Sequence, residues 1–177
     1  MKPTLLALIA ASSLTSLPTF ALQLHSQDIQ EGQPMRAEFE FQGFGCAGKN
    51  HSPQLSWSGA PKGTKSFAVT AYDPDAPTGS GWWHWSAVDI PAKVTALAKG
   101  ADLGKLGAVE LRNDYGHPGF GGVCPPQGHG MHRYQFTVWA LPVETLDLPE
   151  SASPALAGYM LNSMALDQAT LTATYSR

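Results

Sequence analysis

The chain has 177 residues, 43% hydrophobic and only 14% charged, with 11 basic against 14 acidic side chains and a formal net charge of −3. The chain is long enough for one sizeable core, and its acidic balance gives none of the basic footprint that nucleic acid or an anionic bilayer requires. Residues 22–177 suit one domain, since no long linker or second charge regime divides them.

In chain order, Lys2, an uncharged apolar stretch from Leu5 to Leu17 and then Pro18-Thr19-Phe20-Ala21 fit a secretory signal peptide over 1–21, cleaved after Ala21. The apolar stretch is too short to span a bilayer as an anchor, although an uncleaved signal would tether the protein to the inner face of its membrane; cleavage is expected, giving a periplasmic or secreted protein not integral to a membrane once cleaved. Leu22–His25 reads as a short first strand. Ala37–Phe41 alternates acidic residues with Phe39 and Phe41, the pattern of a half-buried strand. Gly43–Ser52 is a glycine-rich loop carrying Cys46. Within it Asn50-His51-Ser52 has the form of a glycosylation acceptor but reads as loop.

Strands are predicted at Gln54–Trp57, Ser66–Tyr72 and Trp82–Ile90. Between the last two lies Asp73-Pro74-Asp75-Ala76-Pro77, two carboxylates fixed by prolines in a rigid non-helical turn, followed by Trp82-Trp83-His84-Trp85. Ionisable groups set against heavy aromatic surface have adjustable protonation, which marks this stretch as a candidate site. Lys93–Gly107 is weakly patterned and reads as mobile. Asn113–Pro126 is a long loop dense in glycine and proline, of the kind that carries function, and its open backbone N–H groups could form an anion nest. His132–Leu141 has strand composition, with His132 and Tyr134 on one face and Arg133 on the other.

Pro154–Leu166 is predicted as a helix, capped by Ser151 or Ser153, with Leu156, Met160 and Met164 stacked at four-residue spacing as a lid or packing face. Ala169–Tyr175 alternates strictly and closes the chain as a strand. Many short strands, frequent turns and one late helix imply a mostly β domain of packed sheets.

Two cysteines, Cys46 and Cys124, both fall in the exported part. An even count in an oxidising compartment points to a disulfide between them; a pair of buried free thiols is the alternative, and no C-x-x-C spacing supports a metal site. A bridge closing so long a loop stabilises a fold by roughly 4.5 kcal/mol in the chain-entropy model. It would staple the Asn113–Pro126 loop to Gly43–Ser52.

Asp-Pro-Asp-Ala-Pro at 73–77, Trp-His-Trp at 83–85, Cys-Pro-Pro at 124–126 and Gly-Met-His-Arg-Tyr at 130–134 occur in one order along the chain. Together they resemble the phosphatidylethanolamine-binding protein (PEBP) family, or Raf kinase inhibitor-like proteins, and within it the bacterial YbhB/YbcL branch. The resemblance implies a Greek-key β-sandwich with one or two short helices. It also implies a pocket for a small anion, such as phosphate or a phosphoethanolamine head group, lined by Asp73, His84, His132 and Tyr134. Pro125 and Pro126 would form a stiff wall, and Trp82 and Trp85 an apolar one.

The residue chemistry agrees with that set, since two imidazoles and a phenol can donate to phosphate oxygens while Asp73 accepts from a histidine N–H and keeps it charged near neutral pH. Asp75 is expected to brace the turn and Arg133 to make a structural ion pair. His25, His51, His117 and His129 are read as ordinary rim or core residues. Two other functions stay open: regulation of a protein partner such as an envelope protease or a host protein, and a metal- or His/Asp-dependent hydrolase. Against the latter, the sequence carries no His-Glu-x-x-His, no Gly-x-Ser-x-Gly, no P-loop and no nucleophile beside the histidines. No catalytic residue, metal ligand or cofactor is therefore expected.

Overall fold

A computed structural model describes residues 21–177; the signal peptide read over 1–21 lies outside the described residues except for Ala21. Two apolar faces on one sheet explain the architecture. The central strand, Ser66–Asp73, is buried at almost every position, as expected of a strand covered on both sides rather than one. In chain order the strands are β1 Gln23–His25, β2 Gln42–Gly43, β3 Cys46–Ala47, β4 Leu55–Ser58, β5 Ser66–Asp73, β6 Trp82–Pro91, β7 Ala96–Leu97, β8 Val109–Glu110, β9 His132–Leu141 and β10 Asp167–Tyr175. The single α-helix among the described residues, α1, is Pro154–Met164.

An antiparallel five-stranded sheet has the order β10-β9-β5-β6-β8, a three-stranded sheet the order β1-β4-β7, and β2 and β3 form a separate small hairpin. Phe67, Val69, Ala71, Trp85, Ala87, Phe136 and Val138 from the large sheet meet Leu24, Leu55, Trp57 and Leu97 from the small one in the main core. On the opposite face Ala68, Val88, Trp139 and Leu141 pack with Leu161 of α1. The fold is thus a mostly β sandwich with one helix outside it.

Strand β6 is twice irregular against β5. Ala71 pairs with Trp85 while Tyr72 pairs with Trp83, so His84 is an extra residue in the ladder; a second shift, between Phe67 and Val69 of β5, surrounds Asp89 at a φ of 60°. A bulge re-aims the side chains it carries. Here Trp83 lies against the helix, where a Cβ on Gly158 would stand 2.8 Å from its ring, whereas Trp85 enters the inter-sheet core.

Several sequence expectations change. Ala37–Phe39 forms a 3-10 turn, not a strand: it runs beside the 121–123 segment, Phe41 N–H donating to Val123 O and Val123 N–H to Phe39 O, and Phe39 reaches the core from that turn. The alternation reported burial rather than extension. Lys93–Gly107 is anchored by buried Leu97 and Leu103 and by β7 pairing with β4. The helix is capped by Ser153, whose Oγ accepts from Leu156 N–H. Its buried stripe is Pro154, Ala157, Gly158 and Leu161, with Leu156 exposed, because small residues let the helix approach Trp83 closely; it covers the face away from the candidate site and is not a lid. The cysteines are joined, Cys46 to Cys124 across a separation of 78 residues.

Candidate functional site

At one end of the large sheet, the end of β5, the starts of β6 and β9, and the 113–126 loop surround a cavity of about 210 Å³. That is smaller than a usual drug-sized site and holds a head group rather than a chain. Asp73, Trp82, His84, Pro125, Pro126, His132 and Tyr134 all line it, together with Tyr115, Cys124 and Phe44. Trp85 does not: it is buried in the core and donates its indole N–H to Glu110 Oε1 at 2.9 Å. The bulge at His84 explains the error, because simple alternation cannot say which neighbour of a bulged residue turns inward.

The chemistry centres on four side chains that are each at least 97% buried, Asp73, His84, His132 and Tyr134. Buried polar groups need partners, and each partner limits what remains for a ligand. Asp73 Oδ1 accepts from Asp75 N–H at 2.8 Å, closing the Pro-rich turn, and Oδ2 lies 2.7 Å from His132 Nδ1. The carboxylate only accepts, so the Nδ1 of His132 carries its proton there. His132 Nε2 is 2.8 Å from His129 Nδ1. His132 therefore offers no free donor to the cavity while exposed His129 caps it, and His129 is a site neighbour that the sequence reading set aside. The only signal for it was its i−3 position in the same Gly-flanked segment.

His84 Nδ1 sits 2.8 Å from Gly121 O and 3.1 Å from Gly122 O, both pure acceptors, which fixes its proton on Nδ1. Burial pushes this imidazole below its ordinary value, only partly countered by those carbonyls and by Asp73. Burial therefore favours the neutral ring, and with the proton on Nδ1 its Nε2 is an acceptor where a donor was expected. Among the described residues, neither Tyr134 Oη nor Trp82 Nε1, both buried, has a partner in hydrogen-bond geometry, although the Asp73 carboxylate is close enough to act on the phenol. Burial, then the charge of Asp73, holds the Tyr134 phenol well above its ordinary value, so it stays an O–H donor; Tyr115 is raised for the same two reasons. Trp82, expected as an apolar wall, supplies a second unpaired donor.

Beside His84 the 113–126 loop does not offer the open N–H groups of an anion nest: Gly121 N–H donates to His84 O, Gly122 N–H to Asn50 Oδ1 and Val123 N–H to Phe39 O. It presents carbonyls to His84 instead. Glycine is required at 122, where a Cβ would stand 2.3 Å from Phe39 O and 2.4 Å from Phe41 N. Asn50, read as plain loop, knits this segment to its neighbour with both ends of its amide.

Beside the disulfide, Arg177 donates to Pro125 O at 2.9 Å and to Gly45 O at 2.7 Å, tying the proline wall to the β2–β3 hairpin. On the outside of the turn Arg133 grips Asp75 through Nε at 2.8 Å and Nη2 at 2.7 Å, holding that carboxyl down at about 2. A larger groove of about 920 Å³ runs between β8 and the start of α1. Asp89, Glu110, Arg112, Asp114, Asp147 and Glu150 are among its lining residues, and among the described residues it has no comparable cluster of deeply buried polar side chains.

Fold and site together define a class: the chain belongs to the phosphatidylethanolamine-binding protein family, whose model matches residues 25–176. Among individual relatives it is 51% identical to the UPF0098 protein YbcL of Escherichia coli (strain K12) over 180 residues, covering 99% of this chain and 98% of that one. The UPF0098 protein YbhB of the same organism is 44% identical over 159 residues, 88% of this chain and 100% of YbhB. The crystal structure of E. coli YbcL, described there as a new member of the mammalian PEBP family, superposes with a TM-score of 0.84 at 52% identity, covering 88% of this chain and 98% of YbcL. The PEBP homologue CT736 of Chlamydia trachomatis gives 0.76 at 31% identity, with 89% and 99% covered.

Proposed function

We propose that this chain is a periplasmic or secreted protein that binds a small oxyanion, inorganic phosphate or a phosphoethanolamine-type head group, in the cavity formed by Asp73, Trp82, His84, His132 and Tyr134. The observation that carries this reading is that two side chains lining one cavity of head-group size, Tyr134 and Trp82, each carry a buried donor with no hydrogen-bond partner among the described residues. A buried donor left unpaired costs free energy, so the cavity gains when an acceptor enters it. The disulfide is in keeping with an oxidising compartment, and among the described residues no helix is long and apolar enough to cross a membrane.

Binding without turnover is favoured by the lining. Cys124 is bridged, the Thr78 hydroxyl is committed to Gly81 O, and His132 Nε2 faces His129 rather than a nucleophile. The test is calorimetry of the full chain with phosphate and with phosphoethanolamine, alongside NMR of the Trp82 indole N–H. Saturable heat with a displaced indole resonance is expected; no heat at millimolar ligand, or shifts confined to a distant surface, would remove the cavity as an anion site.

A further inference from the structure

The cavity is unusually equipped for an anion site. No lysine or arginine lines it among the described residues, and it contains the Asp73 carboxylate. Its lining side chains carry two neutral donors with no hydrogen-bond partner among the described residues, Tyr134 Oη and Trp82 Nε1; His84 has its Nδ1 proton on Gly121 O and Gly122 O, and because burial favours the uncharged ring its Nε2 is an acceptor. The groups facing His84 are Asp73 from β5, His132 and Tyr134 from β9, and Tyr115 and Asp114 from the 113–126 loop. None supplies a fixed positive charge that would invert its role.

An oxyanion with every oxygen deprotonated would satisfy the two donors but set an oxygen lone pair against the His84 lone pair. One that carries its own ionisable O–H can donate to His84 Nε2 and accept from Tyr134 and Trp82, satisfying all three groups. Resting on the anion-binding reading above, we propose that the cavity selects phosphoryl groups that bear an ionisable O–H, inorganic phosphate or a monoprotonated phosphate monoester, over fully deprotonated oxyanions of the same shape and over phosphodiesters. His84 Nε2 is the specificity-determining atom. A site built to pair one hydroxyl rejects the analogue that lacks it far more strongly than an apolar pocket rejects an extra methylene.

Sulfate and phosphate make the test clean, because at about pH 8 both are dianions of one shape and differ by a single O–H. Calorimetry on the full chain is expected to give phosphate an affinity roughly 10- to 100-fold higher than sulfate, and ¹⁵N-histidine NMR an unprotonated Nε2 on His84 in the free protein. His84→Gln, whose amide can present either a donor or an acceptor, should close the gap; the wild-type ratio decides alone if that variant does not fold. Equal affinities for the two anions overturn the selectivity while leaving an anion site in place. If neither anion binds, the anion-binding reading falls and the selectivity with it.

Two further ligands distinguish the source of the phosphoryl group. Saturable binding of free phosphoethanolamine below about pH 6, without retention on vesicles, supports a soluble monoester. Retention on phosphatidylcholine vesicles containing phosphatidic acid, but not on those containing phosphatidylethanolamine, supports a lipid monoester. Preference for the phosphatidylethanolamine vesicles, a diester, overturns the proposal.

Discussion

Replacing Tyr134 by Phe removes one oxygen atom from a residue that is 99% buried, and it separates a binding role from a structural one. Among the described residues that hydroxyl has no partner in hydrogen-bond geometry and feels the Asp73 carboxylate only weakly, so its removal breaks no strong native contact and relieves a buried polar group. Folding stability should be unchanged or raised by up to about 1 kcal/mol, which for a domain of this size is a midpoint rise of roughly 2–4 °C. In the proposed phosphate complex, however, the phenol would donate to a charged oxygen, a contact worth about 1.5–3 kcal/mol, so affinity should fall roughly 10- to 100-fold. Calorimetry with phosphate and thermal unfolding without ligand read the two quantities separately. A midpoint lowered by several degrees with affinity intact would refute the reasoning, because it would mean that the hydroxyl braces the fold. His132→Ala is a poorer probe: it leaves the Asp73 carboxylate buried without its 2.7 Å partner, which costs about 3–5 kcal/mol and mixes unfolding with lost binding.

The remaining predictions concern the frame of the cavity. Changing Cys46 and Cys124 together to Ser should destabilise the protein by about 2–5 kcal/mol, read as a lower thermal midpoint that reductant also produces in the wild type and no longer changes in the variant. Gly122→Ala should lower the urea midpoint by an amount equivalent to about 2 kcal/mol or more, since its Cβ would press on backbone atoms of Phe39 and Phe41 that cannot move aside; a neutral result would mean that the segment shifts freely. Asp75→Asn should cost under about 1 kcal/mol, because Arg133 is half exposed. Its carboxyl sits lower in the folded state, at about 2 against 3.8, so this contribution is present above about pH 4 and fades as pH falls toward 2, which paired acid titrations of the two proteins would show.

Much of the site was legible because its residues stand in short rigid segments. The prolines around Asp73 and Asp75 announced a fixed turn, and period two placed His132 and Tyr134 together with Arg133 opposite, where Arg133 indeed grips Asp75. What escaped depends on contacts far apart in sequence. The bulge that admits His84 is visible only against β5, so Trp85 was misassigned to the wall. Which atom of each side chain stays free is set by partners such as Gly121 O, His129 and Asp73, none of which a spacing rule connects to its histidine. The Ala37–Phe41 alternation misled for the same reason: Phe39 is buried by the neighbouring 121–123 segment, not by a ladder. In the helix, exposed Leu156 and buried Gly158 reverse the usual ranking because Trp83 occupies the space.

A crystal of the full chain soaked in phosphate bears most directly on the central claim. Tetrahedral density is expected inside the cavity, with one oxygen in hydrogen-bond reach of Tyr134 Oη and another of His84 Nε2. A well-ordered cavity that holds only water at saturating phosphate, with the anion bound elsewhere or not at all, would contradict it.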